Sequence, residues 1–304
     1  MDAFDVEGVR AWLTPQMDGL TDPGPEVAPF TGGASNLAYL LNYPHLRTEL
    51  ILRRRPAGKK AGSAHGMARE YRVQKALEPV FPLVPTVRAL CQDPDVIGAD
   101  FYVMGKVPGL ILRGKLPEGM ALSPSRARAL SEVFVGTLAD PQRVDPATAG
   151  LDDLGKGEGY VRRQVEGWTR HYAQARIWNT PGFRHVTAWL ADHQPDGTAL
   201  CVVHNDWRPE NLVLHEETLQ VAGALDWELA TLVDPLMDLG SAMAYRVQAD
   251  DSRMARAMRP QPSHLPGMLT RAETVERHCD RTGLSAENWS FCEVFGLFRI
   301  AVIA

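Results

Sequence analysis

Lysine is scarce in this 304-residue chain: Lys59, Lys60, Lys75, Lys106, Lys115 and Lys156 are all it has. Nothing after Lys156 can form a lysine Schiff base or hold a phosphate through an ammonium. Cys91, Cys201, Cys279 and Cys292 are scattered without a C-x-x-C pair, so the reading is reduced, packed thiols rather than a disulfide or zinc framework. No apolar run approaches the ~18 residues of a membrane span. The start, "MDAFDVEGVRAWLTPQ", carries acids where a secretory signal is basic, and it lacks the apolar core of one. The expectation is a cytoplasmic protein that meets no membrane. Cations are in deficit too, 32 Lys and Arg against 37 Asp and Glu, which disfavours nucleic acid as a partner because that binding neutralises phosphates with surplus charge. The basic cluster "RRRPAGKK" has no interleaved aromatics and reads as a solvated loop. Internal repeats and low-complexity tracts are also lacking.

What is present fits an ordinary globular chain, 45% hydrophobic and 23% charged, long enough for two folding units. The spacing predicts an outlying helix over 5–14, broken by "DPGPEVAP". From Phe30 the chain reads as strand, glycine turn, strand, turn, strand, then a helix over 67–78 and two further strands around a turn from Asp93 to Gly98. A five-stranded antiparallel sheet with one helix is the economical assembly for 30–104. "GKVPG", 105–109, reads as a hinge. Helices follow, the first with Ser123 as cap and Pro124 at its first position. The expected division is therefore 1–104 and a helical 105–304. "NWSFCEVFGLFRIAVIA" stops inside an apolar helix without a cap and reads as truncated.

The chemistry concentrates in "HNDWRPEN", 204–211, directly behind the apolar run "ALCVV". A strand ending at Val203 would deliver His204 and Asp206, and a tight loop would return Asn211 to the same point. The catalytic loop of protein kinases has this spacing, with an Asp that takes the proton of an attacking hydroxyl and an Asn that holds magnesium. Asp226 ends a second strand-like run, "VAGALD". Asn211 and Asp226 would supply the oxygen ligands that magnesium on nucleotide phosphates needs. In "DPLMD", Asp234 and Asp238 have helix-capping spacing, and Asp234 is near enough in sequence to orient the loop.

"VVHNDWRPENLVLH", "ALDWE" and "DPLMDL" resemble the phosphotransferase superfamily of aminoglycoside and choline kinases, whose pattern is H-G-D-x-x-x-x-N, then a metal-binding Asp, then D-P-x-x-D. "FTGGASNLAYLL", "SAHGMAREYRVQKAL" and "DPDVIGADFYVM" are similar to the branch joined to, or encoded near, acyl-CoA dehydrogenases. The resemblance runs from about Phe30 to the end. It implies an α+β, protein kinase-like two-lobe fold: a 1–104 nucleotide-binding lobe with a small antiparallel sheet plus helix, and a larger, mostly helical 105–304 lobe. Also implied are ATP or GTP with Mg2+, a small-molecule hydroxylated substrate, and a functional link to an acyl-CoA dehydrogenase. By position, Gly32, Gly33, Ala34, Ser35 and Asn36 would lie over the nucleotide phosphates. Arg53 would replace the usual strand lysine with Glu70 as its ionic partner, Lys59 and Lys60 being the fallback. Met104 would lead into a hinge whose backbone binds adenine. Asp206 would be the catalytic base, Arg208 would steady the transferring phosphoryl group, and His204 would brace the loop; Asn211 and Asp226 would hold the metal.

Two departures stand out: Asn205 replaces the usual Gly, and Pro141 in "LADPQRVD" should end a helix early. Rival readings are a protein kinase, though no D-F-G or A-P-E is present; an aminoglycoside kinase; a nucleotide-binding module without turnover; and a hydrolase with metal on His204, Asp206 and His215. Asp152, Asp153 and Glu158 would suit a polycation. Arg162, Arg163, Arg170 and Arg176 suit an anionic substrate such as a hydroxyacyl-CoA, the favoured class.

Overall fold

Alternating side chains decide the first sheet. In the computed structural model, which describes residues 4–20, 23–30, 36–56, 66–155, 157–195 and 200–303, strands β1 (Glu26–Pro29), β2 (Leu37–Tyr43), β3 (Thr48–Arg54), β4 (Val87–Cys91) and β5 (Phe101–Gly105) pair antiparallel in the order β1-β2-β3-β5-β4. With a period of two, Leu50 and Leu52 of β3 face one layer while Ile51 and Arg53 face the other. On the first layer, Val9 and Leu13 of helix α1 (Val6–Leu13) join Tyr39, Leu41, Tyr43, Leu50 and Leu52. On the second, Met67 of α2 (Gly66–Leu77) joins Ile51, Val87, Tyr102 and Met104.

Two expectations need correction here. The N-terminal helix is not outlying: Asp5 caps it by accepting from Gly8 N at 3.0 Å, and the four-residue spacing of Val9 and Leu13 seats both in the sheet's core. The stretch "DPGPEVAP" is not merely a break, since β1 lies within it. Its Pro29 sits at the end of an edge strand, where a missing N–H costs little. Between β4 and β5 the expected turn contains the one-turn helix α3 (Pro94–Ile97), capped by Asp93 and closed by Gly98 at φ 75°.

The chain divides into two compact units, Met1–Pro108 with Leu225–Glu228, and Gly109–Ala224 with Leu229–Ala304. The second contains α4 (Pro124–Ala139), α5 (Tyr160–Ala175), α6 (Arg184–Asp192), β6 (Cys201–Val203), β7 (Leu212–Leu214), β8 (Val221–Ala224), β9 (Thr231–Val233), α7 (Pro235–Ala244), α8 (Arg253–Met258), α9 (Arg271–Thr282) and α10 (Trp289–Ile303). Ser123 caps α4, which stops ahead of Pro141. Residues 235–243 of α7 are all buried, as expected of a helix apolar around most of its circumference. Close approach to α10 requires glycine: a Cβ on Gly240 would lie 2.3 Å from Cys292 O, and one on Gly296 2.2 Å from Gly240 O. Two short antiparallel strand pairs, β6 with β9 and the hairpin of β7 with β8, emerge from this helical packing. Among the described residues no helix is long and apolar enough to cross a membrane.

Candidate functional site

In the second unit, β6 is buried along its length and ends at Val203, so the chain turns into the 204–211 loop where the strand's pairing stops. Asp238, fully buried on α7, receives His204 N at 3.1 Å and Asn205 N at 2.8 Å. Burial raises its pKa against the opposing pull of His204 and these donors. Asp234 instead folds back on its own helix and caps Leu236 N at 2.8 Å. The loop is thus oriented by Asp238 rather than Asp234, because the residue one turn into α7 reaches it while the capping residue is occupied.

Asn205 adopts φ 65°, a left-handed conformation that Asn tolerates better than most residues. Its side chain also recruits partners that a Gly could not: Oδ1 accepts from Arg299 Nη1 at 2.8 Å, and Nδ2 donates to Leu229 O at 3.3 Å. Arg299 of α10 further donates to Asn205 O at 3.0 Å and Ser241 Oγ at 2.9 Å. Sequence reasoning missed Arg299. The one signal for it was the amide at 205, a polar group where the family pattern has none.

His204 is sealed from solvent, and its Nδ1 accepts from Asp206 N at 3.3 Å. It braces the loop and touches no open space. Trp207, equally sealed, donates through Nε1 to Phe134 O at 3.2 Å. Anchors on both sides leave Asp206 as the partly exposed residue, its side chain 13% accessible. Asp206 Oδ2 accepts from Asn211 Nδ2 and from Arg208 Nη2, each at 2.9 Å. Both bonds fall on one oxygen, which leaves Oδ1 to take a proton. Asn211 is turned by a single 3-10 turn, Pro209–Asn211, and its nitrogen is committed to Asp206. Its carbonyl oxygen is therefore the atom a hard cation could use. Arg208 also pairs with Glu210 at 3.4 Å and lies 4.9 Å over the Tyr245 ring.

The first unit contributes a second cluster. Arg53 Nη2 lies 2.7 Å from Asp226 Oδ1 and 3.4 Å from Glu70 Oε1. One guanidinium thus serves two carboxylates, a geometry suited to its fork of donors. Burial raises Glu70 to about 7, although Arg53 pulls it down. Burial also works against the charge on Arg53, but Glu70, Tyr102 and Asp226 outweigh it and hold its pKa above the ordinary value. Gln74 Nε2 donates to the buried Tyr102 hydroxyl at 2.9 Å, walling in this pair. Asp226 itself sits at φ 67°.

Other expected residues are placed differently. Asn36 donates to Glu228 Oε2 at 2.7 Å, and Arg69 donates to Glu228 O at 2.9 Å, so Glu228 joins this neighbourhood unforeseen. The Met104 side chain is in the sheet's core. Gly32, Gly33, Ala34, Ser35, Lys59 and Lys60 lie outside the described residues. A metal on His204, Asp206 and His215 is not supported: His204 is sealed, His215 is exposed, and no grouping of three or more His, Cys, Asp or Glu among the described residues could hold a metal ion. On α5, Arg162 and Arg170 each lie 4.0 Å from Glu166, while Arg163 donates to Gly157 O at 3.0 Å. Part of that basic charge is already met locally.

A model of the phosphotransferase enzyme family matches residues 26–272. Acyl-CoA dehydrogenase family member 10 of Mus musculus is 35% identical over 288 residues, covering 94% of this chain and 26% of that protein. The chain spans between 26% and 39% of the length of such curated relatives. A crystal structure from Ralstonia eutropha JMP134, provisionally assigned as an aminoglycoside phosphotransferase, is 31% identical with a TM-score of 0.80, covering 99% of this chain and 88% of that one. A GDP complex of an aminoglycoside 2'-phosphotransferase point mutant shares the fold at 14% identity and a TM-score of 0.62, over 98% of this chain and 89% of that one. The fold is α+β and protein kinase-like.

Proposed function

Because this chain belongs to the phosphotransferase enzyme family, we propose that it moves the γ-phosphate of ATP, or of GTP, to the hydroxyl of a small molecule. The observation that carries this reading is the clamp on Asp206, whose Oδ2 is held at 2.9 Å by both Asn211 and Arg208. A carboxylate fixed through one oxygen presents the other in a set direction, and phosphoryl transfer depends mainly on such positioning and on charge stabilisation. Asp206 orients the substrate hydroxyl for in-line attack and accepts its proton. Arg208, tied to the same carboxylate, steadies the transferring group. In the first unit Arg53 holds nucleotide phosphates, with Glu70 keeping its guanidinium in place.

The donor chemistry suits magnesium: the Asn211 carbonyl oxygen and the Asp226 carboxylate are hard oxygen ligands, and phosphate and water complete such shells. Bound magnesium would neutralise charge on the phosphates. Arg53 already occupies Asp226 Oδ1, so cation binding must compete with or re-aim that pair.

For the acceptor, a hydroxyacyl-CoA or related metabolite is supported by the naming of relatives as acyl-CoA dehydrogenase family members and by the arginines of α5. A functional link to such a dehydrogenase belongs to the same reading. An aminoglycoside acceptor is favoured instead by the assignment of the Ralstonia eutropha structure. The test is a nucleotide-consumption screen with magnesium against hydroxyacyl-CoA esters, amino alcohols, sugars and aminoglycosides, each product identified by mass, with Asp206→Ala as control. Phosphorylated product in the wild type alone supports the proposal. Nucleotide binding without product from any class supports a module without turnover, and equal product from Asp206→Ala removes the mechanism.

A further inference from the structure

The second unit also contains a partly open cavity that the proposed chemistry does not use. Its volume is about 40 Å³, room for roughly three waters. Leu112, Leu130, Phe134 and Met243 make most of its wall apolar. Pro209 and Leu212, from the segment that carries Asn211, close one side.

Two buried polar side chains, Arg246 and Gln261, belong to this lining. Arg246 is 6% exposed and Gln261 4%. Arg246 Nη2 donates to Leu269 O, yet Arg246 Nε and Gln261 Nε2 are both buried with no hydrogen-bond partner. Each is a donor, so neither can satisfy the other. Among the described residues Arg246 makes no ion pair, and its positive neighbour Arg271, which donates to Arg246 O at 2.7 Å, is itself committed to Asp251. Burial, followed by the charge of Arg271, lowers the Arg246 pKa to about 10. At neutral pH the guanidinium is still charged. Glu273 offsets only part of this, so a largely apolar lining that holds a cation without a contacting carboxylate, and two donors without acceptors, is costly by itself.

The complement is specific. It must bring negative charge and at least two acceptor lone pairs, and the rest of it must be hydrocarbon and short. A phosphate would bring more charge and more acceptors than two donors can meet. An alcohol would leave the cation unbalanced. We propose that this cavity binds a short-chain carboxylate, its oxygens accepting from Arg246 Nε and Gln261 Nε2 and its alkyl end packed on Leu130, Phe134 and Met243.

Calorimetric titration of the full chain with butyrate, acetate, butanol and inorganic phosphate tests this, and its readout does not depend on any turnover. Butyrate should bind at millimolar concentrations, and butanol and acetate should bind about tenfold more weakly or not at all. Arg246→Met should remove butyrate binding. Should that variant fail to fold, Leu130→Phe decides, because it narrows the cavity while leaving both donors in place and should also abolish binding. Butyrate binding that survives Leu130→Phe, equal binding of butanol, tighter binding of phosphate, or no butyrate binding to the folded wild type would each overturn the assignment.

Discussion

Glu70 is where a change of pH should be felt most. Its carboxylate has no solvent exposure, and burial raises its pKa from 4.5 to about 7, with Arg53 opposing and Asp226 and Glu228 adding to the rise. The unfolded chain ionises the same group near its ordinary value. Below that value both states hold the proton. Between the two values only the folded state holds it, so folding stability falls as pH rises, and above about 7 the loss is complete. At about 1.36 kcal/mol per pH unit the gap amounts to roughly 3 kcal/mol. Glu70→Gln keeps the shape of the protonated acid and cannot ionise. Thermal denaturation of wild type and variant at matched values between about pH 5 and pH 8 should therefore show the variant gaining several degrees on the wild type as pH rises. A Tm difference that stays constant across this window would mean instead that Glu70 ionises alike in both states and that its burial carries no proton linkage.

Two further predictions concern the 204–211 loop. Arg299→Ala removes the donor to Asn205 O, Asn205 Oδ1 and Ser241 Oγ. It should lower kcat by about 10- to 100-fold through a misplaced Asp206, with the KM for nucleotide unchanged and partial rescue by Arg299→Lys in steady-state assays. Asp234→Ala deletes the α7 cap and should cost about 1 kcal/mol in urea unfolding, while kcat persists because Asp238 holds the loop. Loss of activity in folded Asp234→Ala would contradict that division of labour.

The legible parts of this protein are those fixed by local order. Arg53 falls on the strand face covered by α2 because strands alternate, and Asp206 and Asn211 meet because the four residues between them, Pro209 included, turn tightly. Other contacts leave almost no trace in sequence. Whether Asp234 or Asp238 orients the loop depends on one turn of α7, a difference that spacing cannot weigh. Arg299 reaches Asn205 across 94 positions, and Asn36 reaches Glu228 across 192. Packing between distant elements makes such pairs, and no local pattern encodes them. The core role of α1 and the strand hidden in "DPGPEVAP" were obscured by turn residues, whose propensities yield to a neighbouring strand that offers pairing partners.

In the proposed reaction Asp206 takes a proton from a substrate hydroxyl without holding the nucleotide. Its most direct test compares Asp206→Asn with wild type for magnesium-nucleotide affinity and for phosphorylated product, using whichever acceptor the screen identifies. Asp206→Asn should keep nucleotide affinity within about twofold of wild type and reduce product formation by at least ~100-fold, the lower range for general-base catalysis. Undiminished product formation by Asp206→Asn would contradict that role, as would loss of nucleotide affinity large enough to explain the drop in product.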